Sequence, residues 1–172
     1  MDDQDMTFSS FVRARTPALL RSAYLLTGDQ HLAEDLVQSA LERTHRAWPR
    51  LRRAGNVEAY TRKTMYHLQV SWWRRRRVAE STVGELPELG QADHAGRAAM
   101  RLTLRQALLR LTPKQRAVLV LRYFEDCSEA EVAAVLGVAV GTVKSQTARA
   151  LTRLRVVAPE LGELYLPERA QR

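Results

Sequence analysis

The chain has 172 residues, 45% hydrophobic and 27% charged, enough for one domain or for two small ones with cores of their own. Its 27 Lys and Arg outnumber 19 Asp and Glu, leaving a formal charge of +8 and a pI near 10.3, so the expected partner is acidic, with nucleic acid first among the choices. No apolar run reaches the ~18 residues of a membrane span, the opening MDDQDM is acidic where a secretory signal is basic, Cys127 is the single cysteine, and four scattered histidines form no H-E-x-x-H pair. These features predict a cytoplasmic protein with no disulfide framework, no metal and no cofactor.

Gly and Pro are sparse, and no period-2 apolar run is bounded by turn signals, so an all-α chain is expected. Phe8, Phe11, Leu19, Leu20, Tyr24 and Leu25 suggest an opening helix, Thr27-Gly28 a turn, and Asp29 the cap of the next helix. That second helix is acidic: residues 28–42 hold Asp29, Glu34, Asp35 and Glu42 and no Lys or Arg. Leu32, Leu36, Ala40 and Arg43 fall near one face, whereas Asp35, Gln38, Ser39 and Glu42 point outward at helical spacing.

Residues 43–77 reverse the sign, with eleven Lys or Arg against Glu58 alone. Arg50, Arg52 and Arg53 are expected in a loop, Asn56 as a cap, and a helix from about Val57 through Arg77. Along it Lys63, His67, Trp72 and Trp73 precede the run Arg74, Arg75, Arg76 and Arg77. Aromatic rings can stack on exposed bases and arginines can hold phosphates, so this mixture suits a DNA strand being opened. Core packing is the simpler role for at least two of Tyr60, Tyr66 and Trp72.

Residues 78–99 carry Glu80, Glu85, Glu88 and Asp93 among Gly84, Pro87, Gly90 and Gly96, a composition expected of a flexible linker. The predicted fold is therefore two small helical domains, 1–78 and 100–172, joined by residues 79–99. In the second domain two capping boxes mark helix starts, Thr112-Pro113-Lys114-Gln115 and Ser128-Glu129-Ala130-Glu131. The first helix offers Val118, Leu119, Leu121 and Phe124 for burial, and the second offers Val132, Val135 and Leu136. Gly137 ends the second helix in a left-handed turn, and a third runs from about Val140 to Val157.

A short helix, a glycine turn and a helix with Val143, Leu151 and Leu154 inward and Thr142, Lys144, Ser145, Gln146 and Arg149 outward make a helix-turn-helix pattern. Its second helix has cations for phosphates, hydrogen-bonding side chains for base edges and no carboxylate to repel either. After Pro159, Leu161, Leu164 and Leu166 could pack a last turn on this domain, although a fraying terminus is the simpler expectation.

The segment LTPKQRAVLVLRYFEDCSEAEVAAVLGVAVGTVKSQTARALTRLR resembles the promoter-reading C-terminal domain of extracytoplasmic-function sigma factors of the sigma-70 family. Independently, GDQHLAEDLVQSALERTHRAW resembles the family's polymerase-binding helix and NVEAYTRKTMYHLQVSWWRRRR its minus-ten-reading helix. The resemblance runs from about residue 8 to residue 156 in the family's order. It implies that Asp35, Gln38, Ser39 and Glu42 dock on the clamp helices of the large polymerase subunit. It further implies that the loop before the minus-ten helix captures a flipped base while Lys63 and His67 contact adjacent duplex, with Trp73 and Arg74 to Arg77 beyond them. His67 stands where the family often has Asn. In the second domain Arg149 is the implied base reader and Arg122 a phosphate holder.

The expected function is thus that of a non-catalytic sigma subunit, with core RNA polymerase and promoter DNA as partners, helping to melt DNA at initiation. The resemblance also leaves room for an anti-sigma factor. The alternative is a stand-alone helix-turn-helix repressor or activator, which would bind duplex tightly without polymerase. An enzyme on nucleic acid lacks an acid pair, a nucleophile with its base, or a phosphate-cradling glycine loop. An RNA-binding interaction protein would use the same basic helix on another backbone.

Overall fold

Thr7 opens the first helix by accepting the Ser10 backbone N–H on its hydroxyl at 3.2 Å. In the computed structural model, which describes residues 7–80, 97–159 and 161 and leaves out the side chains of 76–80 and 97–100, this α1 spans Phe8–Thr27. Gly28 ends it with φ 69°, returning its N–H to the Tyr24 carbonyl, and Asp29 then caps α2 (Gln30–Ala54) by accepting from Leu32 N–H at 2.9 Å. Ala33, Leu36, Val37, Ala40 and Thr44 form the buried stripe of α2. Arg43 lies outside that stripe and is exposed, because its guanidinium keeps its hydration there.

Arg50, Arg52 and Arg53 belong to α2 and not to a loop. The helix runs through Pro49, and Arg53 Nε donates to the Pro49 carbonyl at 3.0 Å. Leu51 anchors this last stretch, 2% exposed in a cluster with Phe11 and Val57 that Trp48 and Tyr60 flank. Burial of that side chain offsets the hydrogen bond that Pro49 cannot donate. Gly55, at φ 64°, closes α2 and leads through Asn56, whose carbonyl accepts from Tyr60 N–H, into α3 (Val57–Glu80).

Residues 81–96, most of the expected linker, lie outside the described residues, as do Leu164 and Leu166. The chain resumes in α4 (Arg97–Leu109), and Thr112 and Gln115 close the expected capping box at the head of α5 (Pro113–Leu119). The next helical turn differs from the expectation. Val120–Phe124 winds as a π-turn, Glu125 N–H reaching back to the Val120 carbonyl. The wider turn keeps Val120 and Leu121 buried but rotates Phe124 outward, where it is 49% exposed.

Ser128 and Glu131 close the second capping box at α6 (Glu129–Leu136), Gly137 exits at φ 66°, and α7 (Val140–Val157) follows. Among the described residues the regular structure is entirely helical, and no helix is long and apolar enough to cross a membrane.

Two larger cores hold these helices. Ala107, Leu108 and Leu111 near the end of α4 pack on Ala150, Leu151 and Leu154 of α7, and Leu161 joins them at 2% exposure. The other core belongs to both halves of the chain: Leu26, Leu36, Met65 and Tyr66 meet Val118, Leu121, Val132 and Val143.

Candidate nucleic-acid interface

Val143, completely buried, seats α7 against the rest of the second half and thereby fixes which side chains face away. Thr142, Lys144, Ser145 and Arg149 are exposed and Gln146 is half-buried. Ser145 Oγ donates to the Thr142 carbonyl at 3.0 Å, and Lys144 Nζ stands 3.8 Å from Glu129 on α6. Ala139 supplies no side-chain cap, so the first N–H groups of α7 have no side-chain acceptor. Such a helix start favours a phosphate.

Arg122, on the π-turn, is half-buried and donates from Nη1 to the Cys127 carbonyl at 2.6 Å, tying the turn to the approach of α6. Cys127 itself is buried and unpaired, and burial raises its thiol above the ordinary cysteine range.

On α3, Lys63, His67, Arg74 and Arg75 are exposed, while the side chains of Arg76 and Arg77 lie outside the described residues. Tyr60, Tyr66 and Trp72 all pack into cores, Tyr66 completely. Trp73 is half-buried beneath the Arg116 guanidinium, 4.8 Å from ring centroid to cation. His67 Nε2 lies 3.1 Å from the Val135 carbonyl, and donation from that nitrogen satisfies the end of α6.

Asp35, Gln38 and Glu42 are exposed along α2 and Ser39 is half-buried beside them, one stripe at spacings of three and four. The structure adds an apolar flank that no single stretch of sequence contains. Phe8 and Val12 of α1 join Leu41, Gln38 and Glu42 around a groove of about 500 Å³. A second concavity, about 490 Å³, gathers Arg43, Arg46, Arg50 and Arg53 about Tyr60. Reading the last of these arginines as a loop concealed the i, i+3, i+4 spacing that brings them together.

Arg116 was not singled out by sequence and is the largest fully buried side chain. Its guanidinium donates to the carbonyls of Leu108 (2.8 Å), Leu26 (2.5 Å), Leu109 (3.3 Å) and Leu111 (3.2 Å). Burial lowers its pKa to about 10, which still leaves it charged at neutral pH. Tyr66 is the polar counterpart from α3: its hydroxyl donates to Glu125 Oε1 at 2.7 Å, and Arg62 Nε stands 2.9 Å from Glu125 Oε2.

Residues 11–78, which include the α2 stripe and the basic face of α3, match the family model for sigma-70 region 2, and residues 101–154 match that for sigma-70, region 4. The RNA polymerase sigma-E factor of Streptomyces coelicolor is 43% identical over 97% of this chain and 95% of its own length. The chain belongs to the extracytoplasmic-function group of the sigma-70 family. Another relative of this sigma factor, the ECF RNA polymerase sigma factor SigL of Mycobacterium tuberculosis, is 34% identical over 84% of each chain. Among solved structures, the sigma factor RpoE of Bartonella quintana, in complex with the anti-sigma factor NepR, aligns with TM-score 0.69 at 25% identity, covering 88% of this chain and 96% of that one. Region 2 of this sigma factor therefore comprises α1 to α3, and region 4 lies within α4 to α7.

Proposed function

We propose that this sigma factor binds core RNA polymerase through the α2 stripe, reads the minus-ten element and assists melting with α3, and reads the minus-thirty-five element with α7. Residues 1–78 and 100–172 then act as separate reading units joined by 79–99. The observation that carries the reading is the joint match of regions 2 and 4, in order on one chain, with an exposed carboxylate stripe on the first and an exposed basic helix on the second.

The chain itself makes no bond. Its contribution is binding energy that favours one promoter and one opened strand, with phosphate contacts setting position and base-edge contacts setting sequence. Asp35 and Glu42 suit basic groups on polymerase, and Gln38 and Ser39 suit polar ones. Phe8 and Val12 give that contact an apolar margin. Lys63, His67, Arg74, Arg75, Arg76 and Arg77 are assigned to minus-ten DNA, with Trp73 at their edge. Thr142, Lys144, Ser145, Gln146 and Arg149 are assigned to the minus-thirty-five major groove, and Arg122 to a flanking phosphate. Work on polymerase places the factor in the cytoplasm, and the Bartonella neighbour, seen with its anti-sigma factor, supports an anti-sigma partner for this chain as well.

The test is co-purification with core polymerase followed by run-off transcription. The wild-type chain should form a holoenzyme that initiates at selected sites, while the double variant Asp35→Arg, Gln38→Ala should keep its helical fold and fail to co-purify. Retention of the double variant on core enzyme would sink the polymerase assignment. Nanomolar sequence-specific binding to duplex without polymerase would favour a stand-alone regulator instead.

A further inference from the structure

The residues assigned to the two promoter elements face each other. His67 and Arg74 on α3 and Thr142 and Gln146 on α7 line a single cleft of about 280 Å³, closed on its remaining side by Leu136 and Val138. That volume is smaller than an ordinary small-molecule pocket of about 300 to 1,000 Å³, and a duplex whose major groove alone is about 12 Å wide has no place in it. The elements themselves, named for positions about 25 base pairs apart, are separated by roughly 85 Å of B-form DNA at ~3.4 Å per base step. One cleft cannot serve both.

Specific contacts hold the cleft shut. His67 can reach a base only by leaving the Val135 carbonyl, to which Nε2 is 3.1 Å distant. Tyr66 and Arg62 of region 2 both engage Glu125 of region 4, at 2.7 and 2.9 Å. Arg116 of region 4 donates to Leu26 of region 2 at 2.5 Å, and Arg105 donates to Gly28. Gly28 also lets Leu109 in: a Cβ at position 28 would stand 2.6 Å from Leu109 Cδ1. Beneath these polar contacts lies the core in which Met65 and Tyr66 pack with Val118, Leu121, Val132 and Val143.

We infer that this arrangement is an autoinhibited closed form of the free sigma factor, in which regions 2 and 4 mask one another's DNA-reading flanks and must part before a promoter is read. The inference rests on the proposed function above and adds regulation to the same surfaces. A ligand that binds only the open form has its affinity reduced by the fraction of open molecules. Core polymerase, by holding the two regions apart, would remove that reduction, so closure keeps the free factor from occupying promoters without it.

The experiment is a reversible lock. Ser71 and Val138 line opposite walls of the cleft and belong to neither set of assigned contacts. In a Cys127→Ser background, Ser71→Cys and Val138→Cys would be bridged by a short bismaleimide carrying a cleavable disulfide. X-ray scattering should give the free unbridged chain a radius of gyration near ~16 Å, the value for a compact body of this length, and bridging should leave it unchanged. With core polymerase and a random-sequence promoter library, the bridged chain should initiate at least tenfold less than the unbridged one, and reductant should restore it. A bridged chain that initiates as well as the unbridged one overturns the inference, as does a radius well above ~16 Å for the free unbridged chain. If no form initiates with core enzyme, the sigma reading fails by itself. Closure is then decided by binding of a random-sequence duplex of 60 base pairs, where equal affinity of bridged and reduced chains would overturn it and a gain on reduction would support it.

Discussion

Arg116 shows how one side chain can organise a junction. Its planar fork satisfies carbonyls of Leu108, Leu109 and Leu111, at and just beyond the end of α4, and of Leu26 on α1, four acceptors that would otherwise be left inside the protein. Lysine at this position has three donors from one nitrogen and cannot span the same carbonyls. Arg116→Lys should therefore cost about 2 to 3 kcal/mol in denaturant unfolding, and a loss within 0.5 would show that the carbonyls find other partners. Tyr66 supplies a pH signature. Burial first and the Glu125 carboxylate second raise its pKa well above the ordinary value of 10. The folded chain thus holds this proton where the unfolded chain has released it. Its contribution to stability is complete below pH ~10 and is lost as the pH rises through the raised folded value. Wild type should lose stability more steeply than Tyr66→Phe above pH ~10, and parallel curves would mean that the phenol gains nothing from Glu125. At the DNA surface, Arg149→Ala should relax the preference at one minus-thirty-five position at a cost of about 1 to 3 kcal/mol, whereas Arg122→Ala should weaken all promoters alike. Initiation from a randomised hexamer separates the two, and the reverse pattern would remove α7 from the major groove.

Element boundaries in region 4 are set by side chains that replace missing backbone partners. Thr112 with Gln115, and Ser128 with Glu131, each satisfy two N–H groups at a helix start. Thr112→Ala and Ser128→Ala should each cost about 1 kcal/mol and add within error, since they cap different helices. Gly137 has a different reason. A Cβ there would meet nothing nearer than His67 Cε1 at 3.8 Å, so space does not forbid alanine, but the φ of 66° does. Gly137→Ala should cost about 1 to 2 kcal/mol by thermal unfolding, the strain of a left-handed residue, and a neutral result would mean that the α6 to α7 turn relaxes. These features lie within a few residues of one another and are legible from sequence. The π-turn at Val120–Phe124 is not, because its cause is the demand that Val120 and Leu121 stay buried while Arg122 reaches the Cys127 carbonyl. No local residue type announces that compromise.

At the scale of the molecule, a core shared by regions 2 and 4 makes their stabilities interdependent. Met65 and Tyr66, fully buried, rest partly on Val118, Leu121 and Val132, so unfolding region 4 exposes apolar surface on region 2. Calorimetry of the free chain should show one cooperative transition, and two well-separated transitions would mean that the regions fold independently.

The sequence by itself determined the helical class, the caps, the turns at Gly28 and Gly137, the inward set Val143, Leu151 and Leu154, and the charge pattern that points to nucleic acid. Each depends on spacing within a helix or on backbone chemistry a few residues long, which a linear reading can follow. The continuation of α2 past Pro49 required a contact with Phe11, 40 residues earlier in the chain, and was missed for that reason. Only the tertiary structure decided that Arg116 is buried, that Phe8 and Val12 flank the α2 stripe, and that His67 and Gln146 share a cleft. Pairings across tens of residues leave no period in the sequence, because they arise from how two finished surfaces fit together.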